Sequence, residues 1–195
     1  MPCDRKQLTF VIDLKRCIGC DTCVVGCKME HATPAGEFRL KVFDSHGNFH
    51  VEKPEGQYPN LGMYWIPTMC HHCSDAPCVT ACPTQALWNR DADGMVVLDT
   101  DKCVGCQRCG EECPYDALWF DPQTGKADKC NMCEHRLEEN KGPMCELVCP
   151  TRAIHFGDAN DPDSNVSTLL RERESEVQRL QESAGAQPNI FYLAP

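Results

Sequence analysis

Sixteen of the chain's 17 cysteines stand in four groups of four, and a chain so arranged must fold around whatever those thiols hold. Group one is Cys17, Cys20, Cys23 and Cys27; group two is Cys70, Cys73, Cys78 and Cys82. Group three is Cys103, Cys106, Cys109 and Cys113, and group four is Cys130, Cys133, Cys145 and Cys149. Groups one and three share the spacing Cys-x-x-Cys-x-x-Cys-x-x-x-Cys. Cys3 is left over and reads as a free thiol near the start of the chain.

The surroundings of the groups repeat as well. Asp13-Leu-Lys-Arg-Cys17-Ile-Gly-Cys20 matches Asp99-Thr-Asp-Lys-Cys103-Val-Gly-Cys106, and Cys-Pro-x-x-Ala-Leu/Ile recurs at Cys82, Cys113 and Cys149. These are internal copies of one small unit: a cysteine loop, a short helix and a strand. Leu87-Trp88 and Met95 to Leu98 flank the turn Asp91-Ala-Asp-Gly94, while Leu118 to Phe120 lead into Pro122-Gln-Thr-Gly125, so hairpins separate the cysteine loops. The hydrophobic fraction of 42% counts the cysteines. Without them roughly a third of the chain remains to build a core, so bonds from metal to thiolate, formed only on folding, are expected to supply part of the stability.

Three thiolates on one tight loop can cover three corners of a cubane iron-sulfur cluster, while the fourth, too far round the turn, reaches a neighbouring cluster. Pairs of groups therefore interlock. Gly19 and Gly105 let the backbone wrap closely and aim amides at cluster sulfurs; Pro83, Pro114 and Pro150 fix the chain leaving a fourth ligand. A disulfide scaffold fits poorly, because the spacings are short and repeated and the total is odd. Groups two and four could each hold zinc, but groups one and three carry a third loop cysteine that a structural zinc site does not need. His71 and His72 read as loop residues beside a cluster. Lys28 stands where the other groups have proline and reads either as a positive charge easing cluster reduction or as a solvated side chain. Trp65, Trp88 and Trp119 read as packing residues.

No segment reads as a secretion signal or a membrane span: the run Leu8 to Ile12 is too short, and the stretch Gly56 to Ser74 is broken by prolines, Asn60 and two histidines. The net charge of -10 and the lack of a basic stripe exclude an ordinary nucleic-acid binder, so protein partners are expected. No acid, base or nucleophile constellation suggests catalysis by this chain alone. Between Cys27 and Cys70, alternating Phe38, Leu40, Val42 and then Phe49, Val51 around Ser45-His-Gly-Asn48 predict a hairpin. After the acidic turn Asp158 to Asp163, apolar residues from Val166 to Leu180 predict a helix. Ile190-Phe-Tyr-Leu193 predicts a tail docked on a partner or on the chain's own surface.

The order of the groups resembles one family. So do the phrase Cys17-Ile-Gly-Cys20-Asp-Thr-Cys23-Val-Val-Gly-Cys27-Lys-Met-Glu30, the long insert before Cys70-His-His-Cys73, and the ending Asn189-Ile-Phe-Tyr-Leu193. That family is the iron-sulfur (beta, electron-transfer) subunits of dimethyl-sulfoxide-reductase-type molybdopterin oxidoreductases, and the likeness spans nearly the whole chain. The resemblance is greatest to the short subunits serving polysulfide, thiosulfate, tetrathionate or arsenate reductases, with phenylacetyl-CoA oxidising enzymes and dimethyl sulfoxide reductase also similar.

It implies an α+β fold of two bacterial ferredoxin-like domains, each with two 4Fe-4S clusters, with inserted hairpins and a C-terminal helical or extended tail. Residues 1–64 and 122–160, with groups one and four, would form a discontinuous domain; residues 65–121, with groups two and three, an inserted one; and 161–195 the helix and docking tail. The implied ligand sets are Cys17, Cys20, Cys23 and Cys149 (first cluster); Cys27, Cys130, Cys133 and Cys145 (second); Cys70, Cys73, Cys78 and Cys113 (third); and Cys82, Cys103, Cys106 and Cys109 (fourth). Some relatives replace the second cysteine of group three with tryptophan and carry a three-iron cluster; this chain keeps Cys106, so four cubanes are expected.

The resemblance further implies a large catalytic partner subunit holding a molybdenum or tungsten bis-pterin, and an integral-membrane quinone-reactive partner, with this chain relaying electrons between them. Membrane association would run through those partners, with the complex cytoplasmic or co-exported to the periplasm. A free soluble polyferredoxin and the electron subunit of a hydrogenase or formate complex are the alternatives.

Overall fold

The computed structural model describes residues 5–49 and 54–195; Cys3 and Val51 lie outside them. The fold is α+β, built from short elements. The first half runs β1 (Leu8–Asp13), α1 (Thr22–Glu30), β2 (Leu40–Asp44), β3 (Glu55–Gln57), β4 (Asn60–Gly62), β5 (Trp65–Met69), α2 (Pro77–Thr80), β6 (Leu87–Asn89) and β7 (Val96–Leu98). It continues with α3 (Arg108–Glu111), β8 (Leu118–Phe120), β9 (Ala127–Lys129), α4 (Glu134–Glu138), α5 (Met144–Leu147), β10 (Ile154–Asp158), α6 (Asn165–Glu172), β11 (Val177–Gln178) and β12 (Ile190–Leu193).

One four-stranded sheet, in the order β10-β1-β12-β11, joins the two ends of the chain. β1 lies antiparallel to β10, with Phe10 opposite Phe156, and parallel to β12, with Phe10 opposite Ile190. A strand with neighbours on both sides and cover on both faces is apolar throughout rather than alternating, which accounts for Phe10, Val11 and Ile12, all completely buried. The apolar ending predicted to dock therefore packs on the chain itself. Ile190, Tyr192 and Leu193 are buried, and the Tyr192 hydroxyl donates to the carbonyl of Pro67 at 3.0 Å.

Two hydrophobic cores form around the cysteine groups. In the first, Phe10, Ile12, Leu40, Met69, Ile154 and Tyr192 pack with cysteines of groups one and four. In the second, Leu87, Val96, Tyr115, Leu118 and Ala127 pack with cysteines of groups two and three. Cys130 touches both. α1 and α5 press together at Gly26, where an added Cβ would stand 2.8 Å from the Val148 side chain; this contact brings groups one and four together across more than a hundred residues.

The hairpins β6–β7 and β8–β9 form at the predicted turns. Residues 121 and 122 lie in the turn of the β8–β9 hairpin, which joins paired strands, and the second core extends to Ala127. β2 pairs along its length with β5, where Leu40 and Val42 enter the first core, and among the described residues Phe43 bridges to Phe49 across the predicted turn. One expectation needs correcting, the extent of the helix after Ser164. The helix expected from Val166 to about Leu180 ends at Glu172. Arg173 donates to Asp13 at 2.5 Å and to Glu176 at 2.6 Å, and the chain then offers Val177–Gln178 to the free edge of β12, so sheet pairing overrides helical periodicity.

The sheet makes the tail a structural member. Ile190→Ala is expected to cost about 2–5 kcal/mol through the cavity it leaves. Met29→Ala, on a side chain 79% exposed, is expected to change stability by less than about 0.5 kcal/mol. Anaerobic denaturant unfolding of the two variants checks the contrast.

Candidate metal centres

Each cysteine loop is bent by left-handed residues. Gly19 and Asp21 in group one, and Gly105 and Gln107 in group three, all have positive φ. His72 (φ 44) and Met132 (φ 53) take the same conformation at the equivalent place in groups two and four, where glycine would be easier. A Cβ on Gly19 would lie 2.4 Å from the Trp65 indole, and one on Gly105 would lie 2.7 Å from the carbonyl oxygen of Gly125. The glycines thus admit neighbouring parts of the protein against the loops. Gly19 also directs its N–H at the Cys17 sulfur.

All sixteen described cysteines are free thiols, most of them buried. Their mutual repulsion records which lie together. Cys17 feels Cys149 and Cys20, and Cys23 feels Cys17, Cys149 and Cys20. Cys27, from group one, feels Cys133, while Cys145 feels Cys130, Cys27 and Cys133. Cys73 and Cys78 feel Cys70 and Cys113; Cys109 feels Cys103, Cys106 and Cys82. Burial first, and this repulsion second, push Cys23, Cys27, Cys73 and Cys78 up to about 12. Such thiols stay protonated until a cation takes the proton's place. Cys70, Cys73, Cys78 and Cys113 line one small cavity of about 10 Å³ whose other walls include Ala76, Val96 and Leu118. Four thiols converging from two cysteine groups on one apolar chamber suit an iron-sulfur cluster. Among the described residues no three or more Cys, His, Asp or Glu side chains are grouped as a single-ion site requires.

Two fourth cysteines differ from the rest. Burial works against the Cys82 thiolate, but the N–H groups of Leu87 and Ala86 and the Thr84 hydroxyl outweigh it and bring the thiol down. The Ala86 N–H lies 3.2 Å from the sulfur. Cys149 is brought down in the same way by Ala153, Thr151 and Ile154, with the Ala153 N–H at 3.2 Å. Both belong to Cys-Pro-Thr-x-Ala turns, so the recurring motif is a sulfur-binding nest of amides.

His71 and His72 are completely buried. His71 stacks on Tyr115 with ring centres 3.8 Å apart and is held down to about 4 by burial. His72 accepts the Val96 N–H at Nδ1 (3.1 Å), and burial keeps it neutral too. The Lys28 ammonium is engaged with the carbonyls of Thr33, Pro34 and Glu37 and lies over the Phe38 ring, so it clamps the loop after α1. Two residues near group four escaped the sequence reading. His31 sets Nε2 3.2 Å from the Cys133 sulfur, and Lys129 buries its ammonium beside Cys130. Lys129 carried a signal, being a lysine directly before a ligand cysteine at the end of a strand.

An interior lined with paired sets of cysteines in short loops defines an iron-sulfur protein. A family profile described as "4Fe-4S dicluster domain" matches residues 61–159. The chain is 40% identical to a tetrathionate reductase subunit of Salmonella typhimurium, over 97% of this chain and 73% of that protein. It is 34% identical to a selenate reductase subunit of Mesobacillus selenatarsenatis (98% and 73%) and 31% identical to the arsenate respiratory reductase iron-sulfur subunit of a Shewanella species (96% and 96%). The chain belongs to the iron-sulfur beta subunits of molybdopterin reductases, electron-transfer subunits that are not catalytic on their own.

Crowding at Gly105 gives a test of loop geometry. Gly105→Ala is expected to cost about 1–2 kcal/mol in backbone strain and more through its clash with Gly125. Gly36→Ala, also at positive φ but with nothing within 4 Å, is expected to cost the strain alone. Rates of iron release under mild denaturant should rank Gly105→Ala well ahead of Gly36→Ala.

Proposed function

We propose that this chain carries four 4Fe-4S clusters in two interlocked ferredoxin-like units. In this reading it relays single electrons between a molybdenum or tungsten bis-pterin catalytic subunit and a quinone-linked membrane subunit. The supporting observation is the run of neighbouring thiols from one set to the next. Cys23 of the first set repels Cys145 of the second, Cys130 of the second feels Cys70 of the third, and Cys78 of the third feels Cys109 of the fourth. The ligand sets are those drawn from the resemblance: Cys17, Cys20, Cys23, Cys149; Cys27, Cys130, Cys133, Cys145; Cys70, Cys73, Cys78, Cys113; and Cys82, Cys103, Cys106, Cys109. The inserted unit closes after the β8–β9 hairpin rather than at 121.

When bound, each cluster takes up and gives back one electron at a potential set by its surroundings. The chain's own residues provide those surroundings. Amides of the Cys-Pro-Thr-x-Ala turns donate to Cys82 and Cys149, and the two cores keep water from the middle sets.

The ends of the line differ from its middle. Cys20 is exposed, as are Ile18 and Val25 close to it in sequence and Leu147 on α5, which packs against α1; Cys106 is exposed, as is Val104 in the same loop. Apolar patches over the outermost sets favour a subunit docked at both ends over a free carrier. The first set would face the catalytic partner and the fourth the membrane partner. No helix among the described residues is long and apolar enough to cross a membrane, so in this reading the anchor belongs to a partner.

Purifying the tagged chain anaerobically from its own host tests the reading. Molybdenum or tungsten should co-elute with a large subunit, and Leu147→Asp should reduce its recovery at least tenfold while leaving the iron content of the chain unchanged. A chain that elutes alone with its iron complete would favour a free polyferredoxin, and nickel in the eluate would favour a hydrogenase complex.

A further inference from the structure

Lys129 is an unusual lysine. Its side chain is buried (3% exposed), and Nζ donates to the carbonyls of Val96 and, at 3.0 Å, Cys130. Among the described residues no carboxylate pairs with it: neighbouring Asp128 is bound at both oxygens by Arg39, at 2.8 Å each. Nearby His72 is kept neutral, and Arg90 is held by Asp93 and Glu134. Taking an ammonium out of water costs several kcal/mol unless a negative charge compensates, and two carbonyls supply only partial charges.

The compensating charge lies on two sides. Val96, whose carbonyl Lys129 holds, lines the cavity of Cys70, Cys73, Cys78 and Cys113, while the other carbonyl belongs to Cys130 of the neighbouring set. Lys129 thus lies at the seam of the two cores, between the second and third ligand sets.

We propose that Lys129 is the shared counter-charge of the two middle clusters and holds their reduction potentials up. Adding an electron to either cluster adds negative charge beside a fixed cation in a poorly screened interior, so the cation favours the reduced form. Without it, both middle clusters would take up an electron less readily. This inference rests on the four-cluster reading and concerns only the charge at Lys129.

The test is a redox titration, followed by electron paramagnetic resonance, of the anaerobically purified full chain with its partners. Wild type, Lys129→Gln and Lys129→Met are compared after iron is counted in each. Lys129→Gln can keep a donor for a carbonyl while removing the charge. Two of the four midpoints, assigned to the middle clusters by their response to Cys130→Ser and Cys70→Ser, should fall. The expected drop is at least tenfold in the reduction equilibrium, about 59 mV for a one-electron couple, with the outer two unchanged. Iron-replete variants with all four midpoints unchanged, or all four lowered alike, would overturn the proposal. If the neutral variants lose iron, loss confined to the middle two clusters supports the charge requirement, and loss from all four overturns it. Wild-type protein with iron far below about sixteen per chain would instead sink the four-cluster reading itself.

Discussion

Buried thiols crowding one another are the constraint on which this fold depends. Burial and mutual repulsion push Cys23, Cys27, Cys73 and Cys78 up to about 12, so the side chains that must become thiolates are placed where thiolates are least welcome. Cations at the centre of each set reverse that balance, and because the sets exist only in the folded chain, binding them is part of folding. The two cores are accordingly cysteine-rich, and the remaining apolar residues serve mainly to seal them.

The same constraint explains the unusual joins. β1 and β12, near opposite ends of the chain, lie side by side. The segment before β12 then ties the tail to the group-two loop: the Asn189 N–H donates to the carbonyl of His71, its side-chain amide to the carbonyl of His72, and Ser74 and Asp75 donate to the carbonyls of Gln187 and Ala186. One extended segment therefore fastens the first core to the second, where Ala186 is fully buried. The tail thereby holds the group-two loop against the first core.

Cysteine spacing made much of this legible. The repeat around Cys82, Cys113 and Cys149 and the turns at Asp91 to Gly94 and Pro122 to Gly125 announced the loop, helix and strand units, and these formed where expected. What the spacing could not reveal depends on contacts distant in sequence. His72 and Met132 adopt left-handed conformations that a glycine would have advertised. The helix after Ser164 stops early because Arg173 finds Asp13, 160 residues away, and Ala127 at the end of the β8–β9 hairpin packs into the second core. Lys28, which reads either as a charge near a cluster or as a solvated side chain, holds the carbonyls of Thr33, Pro34 and Glu37, while Lys129, whose burial arises only when the two cores meet, went unread.

The central claim is that four clusters, no fewer, share this chain's sixteen grouped cysteines. Full reduction of anaerobically purified protein, followed by spin integration and iron analysis, tests it most directly. The account predicts about four reducible 4Fe-4S centres and about sixteen irons per chain, with magnetic coupling between neighbours. Two centres and about eight irons, or zinc in place of iron, would contradict it.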